Sequence, residues 1–239
     1  MRSTLAIASK ELRTYLASPM AYVVTALFLF MSGLFGFASD LTSTQLARLD
    51  GFFEFASFLL VLIAPILTMR LLAEEQKLGT LELLLTAPVR DHEVVLGKFL
   101  ASVGILAAML LTTFYYPVLL LFFAHPDIGP MLSGYFGLLL LGAALLAVGV
   151  LASSLTSNQI VAAVLGIGIL LAFSFAHLIL AFAQSVPGAA DLLTYLSLST
   201  HFTDFVRGVI DTKAVVYYLS FIAVTLFFTV RSLETRRWR

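Results

Sequence analysis

Residues 128–190 read IGPMLSGYFGLLLLGAALLAVGVLASSLTSNQIVAAVLGIGILLAFSFAHLILAFAQSVPGAA and contain no aspartate, glutamate, lysine or arginine. A helix needs about 20 apolar residues to cross the roughly 30 Å hydrocarbon core of a membrane. This stretch is too long for one crossing and fits two. Its natural break is the polar cluster SSLTSN at residues 153–158, near its middle. We therefore expect two membrane-spanning helices joined by a short polar turn.

Four further runs without charged side chains lie outside this stretch. They occupy residues 15–39, 55–69, 99–126 and 214–230, and the second is extended by Phe52, Phe53, Leu71 and Leu72. The chain is 60% hydrophobic and 12% charged, whereas a soluble domain carries about 25% charged residues. Backbone groups in lipid must pair within their own segment, and these runs lack the alternation of barrel strands. The sequence predicts an all-α polytopic membrane protein with six transmembrane helices, kinked by Pro65 in span 2 and Pro117 in span 3.

Basic residues are distributed unequally between the two sides that six spans create. One side holds the N-terminal segment, the loop between spans 2 and 3, and the C-terminus, and it carries 11 of the 14 basic residues. The positive-inside rule places that side in the cytoplasm. We expect both termini there and the protein in the cytoplasmic (inner) membrane. The formal net charge is zero, which gives no indication of nucleic acid as a partner.

The N-terminal segment, residues 1–18, has an apolar pattern of helical period. Its apolar residues at three- and four-residue spacing are Leu5, Ala8, Leu12, Tyr15 and Leu16. The basic residues fall largely elsewhere on the helical wheel, which is typical of an amphipathic helix on the inner membrane face. Pro19 would then turn the chain into span 1. The alternative is a plain cytoplasmic extension of that span.

The loop between spans 2 and 3 is long and rich in charge. Residues 70–98 read RLLAEEQKLGTLELLLTAPVRDHEVVLGK and contain nine charged residues. Within it, Glu82 is the one polar residue of an apolar run, residues 81–85. Gly79 and Thr80 are suited to begin a short helix there, with the threonine hydroxyl as its cap, and Pro88 would end it. The charges suit a soluble partner and the leucines suit a groove on that partner; a solvated connection without a partner is the alternative.

This loop resembles the corresponding loop of ABC type-2 exporter permeases. The matching pattern is Glu75-x-x-x-Gly79-Thr80-Leu81-Glu82-Leu83-Leu84-Leu85-x-x-Pro88-Val89, followed by Gly97-Lys98. The resemblance implies a coupling helix that docks on an ATP-binding subunit. The C-terminal stretch is similar to the gliding-motility-associated (Gld-type) branch of that family. The residues that carry this second similarity are His201, Phe202, Phe205, Arg207, Gly208, Asp211, Tyr217, Tyr218 and Ser220.

The family resemblance implies a division of the chain and a set of partners. Within a single permease domain, residues 1–239, it implies an interfacial helix (1–18), spans 1–2 (19–72), a coupling loop (73–98), spans 3–5 (99–184), an external re-entrant segment (185–213), span 6 (214–231) and a cytoplasmic tail (232–239). The residues expected to couple the loop to an ATPase are Glu74, Glu75, Gly79, Thr80, Glu82, Leu84, Pro88, Gly97 and Lys98. The expected partners are membrane lipid, a second copy or a homologous permease, and two ATPase subunits that bind ATP and Mg²⁺.

No motif in the sequence predicts catalysis by this chain. The phosphate-binding pattern G-x-x-x-x-G-K-[ST] does not occur, because His92 stands where the first glycine before Gly97-Lys98 would be. Glu74-Glu75 lacks the arginine of the E-E-x-x-x-R protease pattern, and G-x-S-G is absent. The four histidines form no i, i+3 or i, i+4 pair, and there is no cysteine, so no metal site or cofactor is expected. The chain is expected to be a permease subunit and not an enzyme.

Two sets of polar residues nearer the outer side are further candidates. His177 is the one ionisable residue of span 5 and is expected to form an interhelical hydrogen bond or to line a substrate or proton path. In residues 185–213, apolar and charged residues interleave as in short helices on the outer membrane face, and the family resemblance implies a re-entrant element. The candidates there are His201, Asp204, Arg207 and Asp211, of which Asp204 and Arg207 are spaced for a pair.

The sequence therefore favours the transmembrane permease subunit of an ATP-binding-cassette exporter. A membrane anchor that recruits a soluble ATPase complex without transport is one alternative. An ATP-independent secondary transporter is another, although such proteins usually place carboxylates deep in their spans and contain repeats. Neither feature is visible in this sequence.

Overall fold

The computed structural model describes residues 2–43, 48–80, 89–123, 126–174, 176 and 195–236, and these residues form helices and turns without a strand. The helices are α1 (Arg2–Ala17), α2 (Pro19–Met31), a π-helical segment (Ser32–Phe37), α3 (Ala38–Ser43), α4 (Asp50–Thr68), α5 (Arg70–Leu78), α6 (Asp91–Thr112), α7 (Tyr115–Phe123), α8 (Ile128–Leu155), α9 (Gln159–Ser174), α10 (Leu198–Val206) and α11 (Thr212–Arg236). The all-α class predicted from the sequence is confirmed for this part of the chain.

Five helical segments of the described residues are long and apolar enough to cross a membrane. They are Pro19–Leu41, Asp50–Leu78, Asp91–Phe123, Ile128–Leu155 and Thr212–Thr235, and they correspond to spans 1, 2, 3, 4 and 6. Helix α9, where span 5 is predicted, is apolar but has only 16 described residues. Most of residues 175–194, which would complete that span, lie outside the described residues. Six spans therefore remain a prediction.

Span 4, formed by α8, is the central helix of the bundle. It packs against α4, α6, α9, α10 and α11. In an apolar stretch of 18 residues of this span, 78% of the residues are buried, whereas the equivalent stretches of span 1 and span 6 are 28% and 33% buried. Spans 1 and 6 therefore lie at the periphery and direct apolar side chains outward, as a lipid-facing surface requires.

Small residues allow the neighbouring helices to approach α8 closely. A Cβ atom on Gly134 would lie 2.4 Å from the Phe53 ring, and one on Gly142 would lie 2.5 Å from the Leu106 side chain. The van der Waals contacts made at such close approaches stabilise helix packing inside lipid, where the hydrophobic effect does not drive helices together. Gly134 and Gly142 therefore lie at close helix–helix contacts, whereas Gly168 faces open space.

The prolines of spans 2 and 3 lie beside breaks in those helices. Span 2 contains Pro65 and changes from α4 to α5 at Met69. Span 3 is interrupted between Thr112 and Tyr115, just before Pro117. Proline has no N–H, so it leaves the carbonyl group of residue i−4 without its helical partner. In span 3 that carbonyl belongs to Thr113, and it accepts hydrogen bonds from the Tyr116 N–H at 3.0 Å and from the Tyr135 hydroxyl at 3.1 Å.

Helix α1 lies along the first half of α6. Part of the apolar stripe predicted for residues 1–18 packs on the protein, since Leu12 and Tyr15 contact the hydrophobic core. Leu5 and Leu16 are 65% and 48% exposed. The helix therefore has two apolar surfaces, one covered by the bundle and one directed away from it.

Candidate functional site

The end of the bundle that carries α1, α5 and the first turns of α6 contains a buried cluster of charges. We call this end the α1 end. The side chain of Lys98, on α6, is 1% exposed, and its Nζ lies 3.0 Å from Glu11 Oε1 and 2.7 Å from Glu75 Oε1. Glu11 comes from α1 and Glu75 from α5. This trio, the Lys98 cluster, joins three helices through a single ammonium group.

Both carboxylates of the cluster are needed to make the burial of Lys98 tolerable. A charge removed from water costs several kcal/mol unless it is paired and hydrogen-bonded. The cluster holds two carboxylates and one ammonium, and among the described residues Glu75 Oε2 is buried without a hydrogen-bond partner. Glu11 and Glu75 keep 13% and 20% of their side-chain surface exposed, so water reaches this end of the cluster and reduces the cost.

Gly97 explains how α1 comes close enough to reach Lys98. A Cβ atom at this position would lie 2.8 Å from Ile7 Cγ2 and 3.0 Å from the carbonyl oxygen of Thr4, both on α1. Any larger residue would therefore push α1 away from α6. Gly97 and Lys98 therefore act together at this contact. The glycine lets the backbone of α1 approach α6, and the lysine pairs with the Glu11 carboxylate of α1.

Helix α5 is fixed to the end of α8 by polar contacts at the break in span 2. The Ser153 hydroxyl donates to the Met69 carbonyl oxygen at 3.0 Å and accepts from the N–H groups of Leu72 at 3.1 Å and Ala73 at 3.0 Å. Gln76 Nε2 donates to the Ser154 carbonyl oxygen at 3.0 Å. The polar residues predicted to separate spans 4 and 5 therefore meet the charged segment that follows span 2.

The charged loop predicted over residues 73–98 is largely helical at both ends. Helix α5 continues to Leu78, and α6 begins at Asp91 with the Glu93 carboxylate accepting from the Arg90 N–H at 3.3 Å. Both helices extend past the apolar spans, so most of the charges lie on helical turns. Of the nine predicted coupling residues, the structure brings Glu75 and Lys98 together.

The other predicted coupling residues have different surroundings. Gly79 ends α5 in the left-handed conformation, with φ of 70°, and Thr80 directly after it is helical again. The Thr80 hydroxyl donates to the Glu75 carbonyl oxygen at 3.4 Å, and the N–H groups that it is predicted to cap lie outside the described residues. Glu74 pairs with Arg70 at 3.0 Å on the same helix. Glu82, Leu84 and Pro88, and with them the predicted coupling helix, lie outside the described residues.

At the opposite end of the bundle, α10 is attached to the spans by aromatic and hydroxyl contacts. The His201 ring stacks on Tyr217 of α11 with centroids 4.0 Å apart and planes inclined by 3°. The Tyr218 hydroxyl donates to the Leu198 carbonyl oxygen at 2.7 Å, and the Ser133 hydroxyl donates to that of Phe205 at 2.7 Å. These contacts hold α10 against spans 4 and 6.

The remaining candidates of the predicted external segment differ in their surroundings. Asp204 and Arg207 do not form the ion pair that their spacing suggested. Asp211 Oδ1 instead accepts from the Lys213 N–H at 2.9 Å at the start of α11. Gly208 follows α10 with φ of 90° and reverses the chain beside Pro130. His177 and residues 185–194 lie outside the described residues, so their roles stay predictions.

Two carboxylates that the sequence did not single out have important contacts. Glu11 lies between Ala8, Leu12 and Tyr15 on the covered side of α1, and a charge on an apolar stripe is the signal that could have revealed it. Asp40, 6% exposed, accepts from the N–H groups of Gly51 at 2.9 Å and Phe52 at 3.0 Å. Its partners are 11 and 12 residues away and follow no local pattern.

The comparison with protein families gives one match that covers nearly the whole chain. The family described as ABC-2 family transporter protein matches residues 5–237. The comparison with curated proteins gave no match. The matched range includes most of α1, both helices that flank the charged segment, α10 and α11.

Proposed function

The chain belongs to the ABC-2 family of transporter proteins, and from this premise we propose that it is the membrane-spanning permease subunit of an ATP-driven exporter. It is an integral membrane protein, as the family and the five long apolar helices of the described residues show. Permeases of this family normally work with an ABC ATPase. The chain has no phosphate-binding loop of its own, so the ATP-hydrolysing site belongs to another chain.

The assembly that we propose has two permeases and two ATPases. Each ATPase binds ATP and Mg²⁺, and the second permease is a copy or a homologue of this chain. In this proposal the protein lies in the inner membrane and crosses it six times. Both termini and residues 70–98 are then in the cytoplasm. The distribution of basic residues supports this orientation. Similarity of the residues around His201 and Arg207 supports the Gld-type branch, and the substrate is left open.

The Lys98 cluster is the observation that carries the coupling mechanism. It joins α5, which ends span 2, to α6, which begins span 3, and both to α1. Residues 79–90 connect the end of α5, shortly after Glu75, to the start of α6, shortly before Lys98. A displacement of that connection by a partner is therefore passed to three helices at once. Closure of the ATPase pair on ATP would rock the bundle between inward- and outward-facing states.

We place the docking contact on a coupling helix within residues 81–88. Glu82 interrupts a leucine run, and such a charge tolerates burial only opposite a cation of the partner. Glu82→Lys should leave the protein folded in the membrane and abolish most ATP-dependent transport. Glu234→Lys makes the same change of charge at the end of α11 and serves as the control. Unchanged transport and unchanged retention of the ATPase in Glu82→Lys would contradict the docking role.

The function is tested by purifying the tagged chain from native membranes in mild detergent. We expect a protein with a phosphate-binding loop, identified by mass spectrometry, to co-purify and to account for all ATP hydrolysis. Reconstituted vesicles should then lose or gain substrate only with ATP. ATP hydrolysis from a preparation that contains this chain alone would overturn the proposal. Hydrolysis by the complex without any ATP-dependent change in vesicle contents would favour an anchor, and transport without an ATPase would favour a secondary transporter.

A further inference from the structure

A cavity of about 100 Å³ lies at the α1 end, between α1, the turn into span 1 and the α4–α5 junction. We call it the elbow cavity. Its lining residues come from α1, the turn after it, span 1 and span 2, and all of them belong to the described part of the chain. A space of this size accommodates several water molecules or one compact polar group. It lies beside the Lys98 cluster and shares Glu11 with it.

The depth of the elbow cavity corresponds to the headgroup layer of the membrane. Asp50 begins α4 and Arg70 begins α5, which continues the same span. At about 1.5 Å per residue, these two positions are roughly 30 Å apart, the thickness of the hydrocarbon core. Ser18 precedes the first residue of span 1 and also lines the cavity. Arg70 and Ser18 therefore mark the level at which hydrocarbon gives way to headgroups.

The wall of the elbow cavity nearer the middle of the membrane is apolar. It consists of Met20 and Ala21 at the start of span 1, and of Ile66 and Leu67 near the end of α4. Tyr15 adds its ring, and its hydroxyl donates to the Leu67 carbonyl oxygen. Burial, and then the nearby Glu11, raise the pKa of the Tyr15 hydroxyl, so it remains a neutral donor. An apolar wall at this depth suits the upper part of a lipid's acyl chains.

The wall of the elbow cavity nearer the headgroup layer carries both positive and negative side chains. Arg70 donates to Glu74 Oε2 through Nε at 3.0 Å and to Oε1 through Nη2 at 3.4 Å. A guanidinium has five N–H groups, so three remain, and they have no partner among the described residues. Glu11 Oε1 is paired with Lys98 and, at 3.7 Å, with Lys10, while its Oε2 has no partner in the same ranges. The wall thus offers free donors beside free acceptors.

We propose that the elbow cavity binds the headgroup of a membrane phospholipid that carries a primary ammonium, as phosphatidylethanolamine does. Its phosphate takes the free N–H groups of Arg70, and its ammonium lies between Glu11 and Glu74. A guanidinium is well suited to a phosphate, which it contacts through paired hydrogen bonds. The lipid then fills the angle between α1 and span 2 and fixes the direction of α1.

The charge balance selects this headgroup over the alternatives. The cavity is lined by one cation, Arg70, and two carboxylates, Glu11 and Glu74. Including the adjacent Lys98, Glu75 and Lys10, whose Nζ lies 3.7 Å from Glu11 Oε1, the local charge is zero, which suits a zwitterionic headgroup better than an anionic one. A primary ammonium donates three hydrogen bonds to the carboxylates, whereas the quaternary ammonium of phosphatidylcholine donates none. The proposal does not depend on which partner hydrolyses ATP.

Native mass spectrometry of the purified, delipidated protein tests the proposal. The protein is titrated with phosphatidylethanolamine, phosphatidylcholine and phosphatidylglycerol of identical acyl chains. We expect phosphatidylethanolamine to bind at the lowest concentration and Arg70→Gln to weaken its binding about tenfold, the effect of losing one charge-assisted contact. The control is Arg13→Gln, because Arg13 is an exposed basic residue of α1 that does not line the cavity. It should bind this lipid as the parent does.

A second variant covers the case in which Arg70→Gln fails to fold. Ile66→Trp fills the apolar wall, retains every charge and should also weaken binding. Soluble glycerophosphoethanolamine, which lacks acyl chains, should not compete. Equal affinity for the three lipids, preference for phosphatidylglycerol, competition by the soluble headgroup, or unchanged binding in the foldable variant would each overturn the proposal.

Discussion

Lys98 shows at the scale of a single residue how a buried charge specifies a junction of helices. The ammonium group has two carboxylate partners from two other helices and is almost completely buried. Replacing an ion cluster by apolar groups can be neutral, whereas removal of one partner leaves charges that nothing compensates. The role of Lys98 should therefore appear as a difference between single and combined variants.

Lys98→Met is expected to lower the free energy of unfolding by about 3–5 kcal/mol, because Glu75 then loses its cation and Glu11 keeps only the exposed Lys10 at 3.7 Å. The combined variant with Glu11→Gln and Glu75→Gln should recover most of that loss. Thermal unfolding of the purified protein in detergent measures both. Lys77→Met, at an exposed position on α5, is the control and should stay within about 0.5 kcal/mol of the parent.

Equal melting temperatures for Lys98→Met and the combined variant, both far below the parent, would contradict this account. Such a result would mean that the volume or the alkyl chain of Lys98 matters and that its charge does not.

Sequence reasoning identified part of this cluster. Glu75, Gly97 and Lys98 were selected through a family pattern, without a contact between them. Glu11 is absent from the prediction: its place on an apolar stripe is a local signal, but no local pattern connects it with Lys98, 87 residues away. Only the packing of α1 on α6 makes the three side chains neighbours.

At the scale of the element, broken helices are held by hydroxyl groups from other helices. Span 2 is interrupted at Met69, where the Ser153 hydroxyl of span 4 donates one hydrogen bond and accepts from two N–H groups. Span 3 is broken before Pro117, where Tyr135 of span 4 donates to the freed carbonyl. In lipid no water can satisfy such groups, so a proline break requires a partner from within the protein. Span 4 supplies a hydroxyl group at both breaks, although Ser153 contacts Met69, Leu72 and Ala73 and not the carbonyl group freed by Pro65.

Ser153→Ala should lower the free energy of unfolding by about 1–3 kcal/mol, because it removes the buried hydroxyl that donates to the Met69 carbonyl oxygen and accepts from the N–H groups of Leu72 and Ala73. Ser154→Ala is a matched control. The Ser154 hydroxyl is also buried, but it donates to the Leu151 carbonyl oxygen of its own helix at 2.7 Å, so the loss should be smaller. Thermal unfolding of the two variants side by side checks the difference. Equal losses would show that Ser153 has no special role at the break.

Gly36 permits the contact between span 1 and span 2. A Cβ atom there would lie 2.8 Å from the Phe52 Cα, which belongs to the backbone and cannot rotate away. Gly36→Ala should therefore separate the two helices and lower the free energy of unfolding by about 1–3 kcal/mol. Gly168→Ala, which meets open space, should be neutral or stabilising by up to about 1 kcal/mol. Denaturation by heat in detergent compares the pair, and a larger loss at Gly168 would refute the assignment.

At the scale of the whole molecule, the two ends of the bundle differ in chemistry. The α1 end is joined by ion pairs and by the polar residues at the end of α8. The opposite end is joined by aromatic stacking and hydroxyl groups around α10. This difference agrees with the proposal that one end binds a charged soluble partner and the other closes the outer side of the bundle.

The orientation of the bundle can be measured with single cysteines, since the native chain has none. Lys77 at the end of α5 and Lys213 at the start of α11 are both exposed. An impermeant thiol reagent added to intact cells should label Lys213→Cys and should label Lys77→Cys only after the membrane is opened. The cysteine-free parent is the background control. Labelling of Lys77→Cys from outside would reverse the topology and would remove the basis of the coupling role.

The sequence by itself determined that this chain spans a membrane as helices, where most of the spans lie, and which of its loops carries the charge. These properties follow from local composition, because the cost of placing a charge or an unpaired backbone group in lipid depends on each segment alone. Only the tertiary structure decided that α8 is the centre, that Ser153 holds span 2, and that Glu11 meets Lys98. Those contacts join residues that are distant in the chain, and their energies depend on which helices pack together, which no local pattern records.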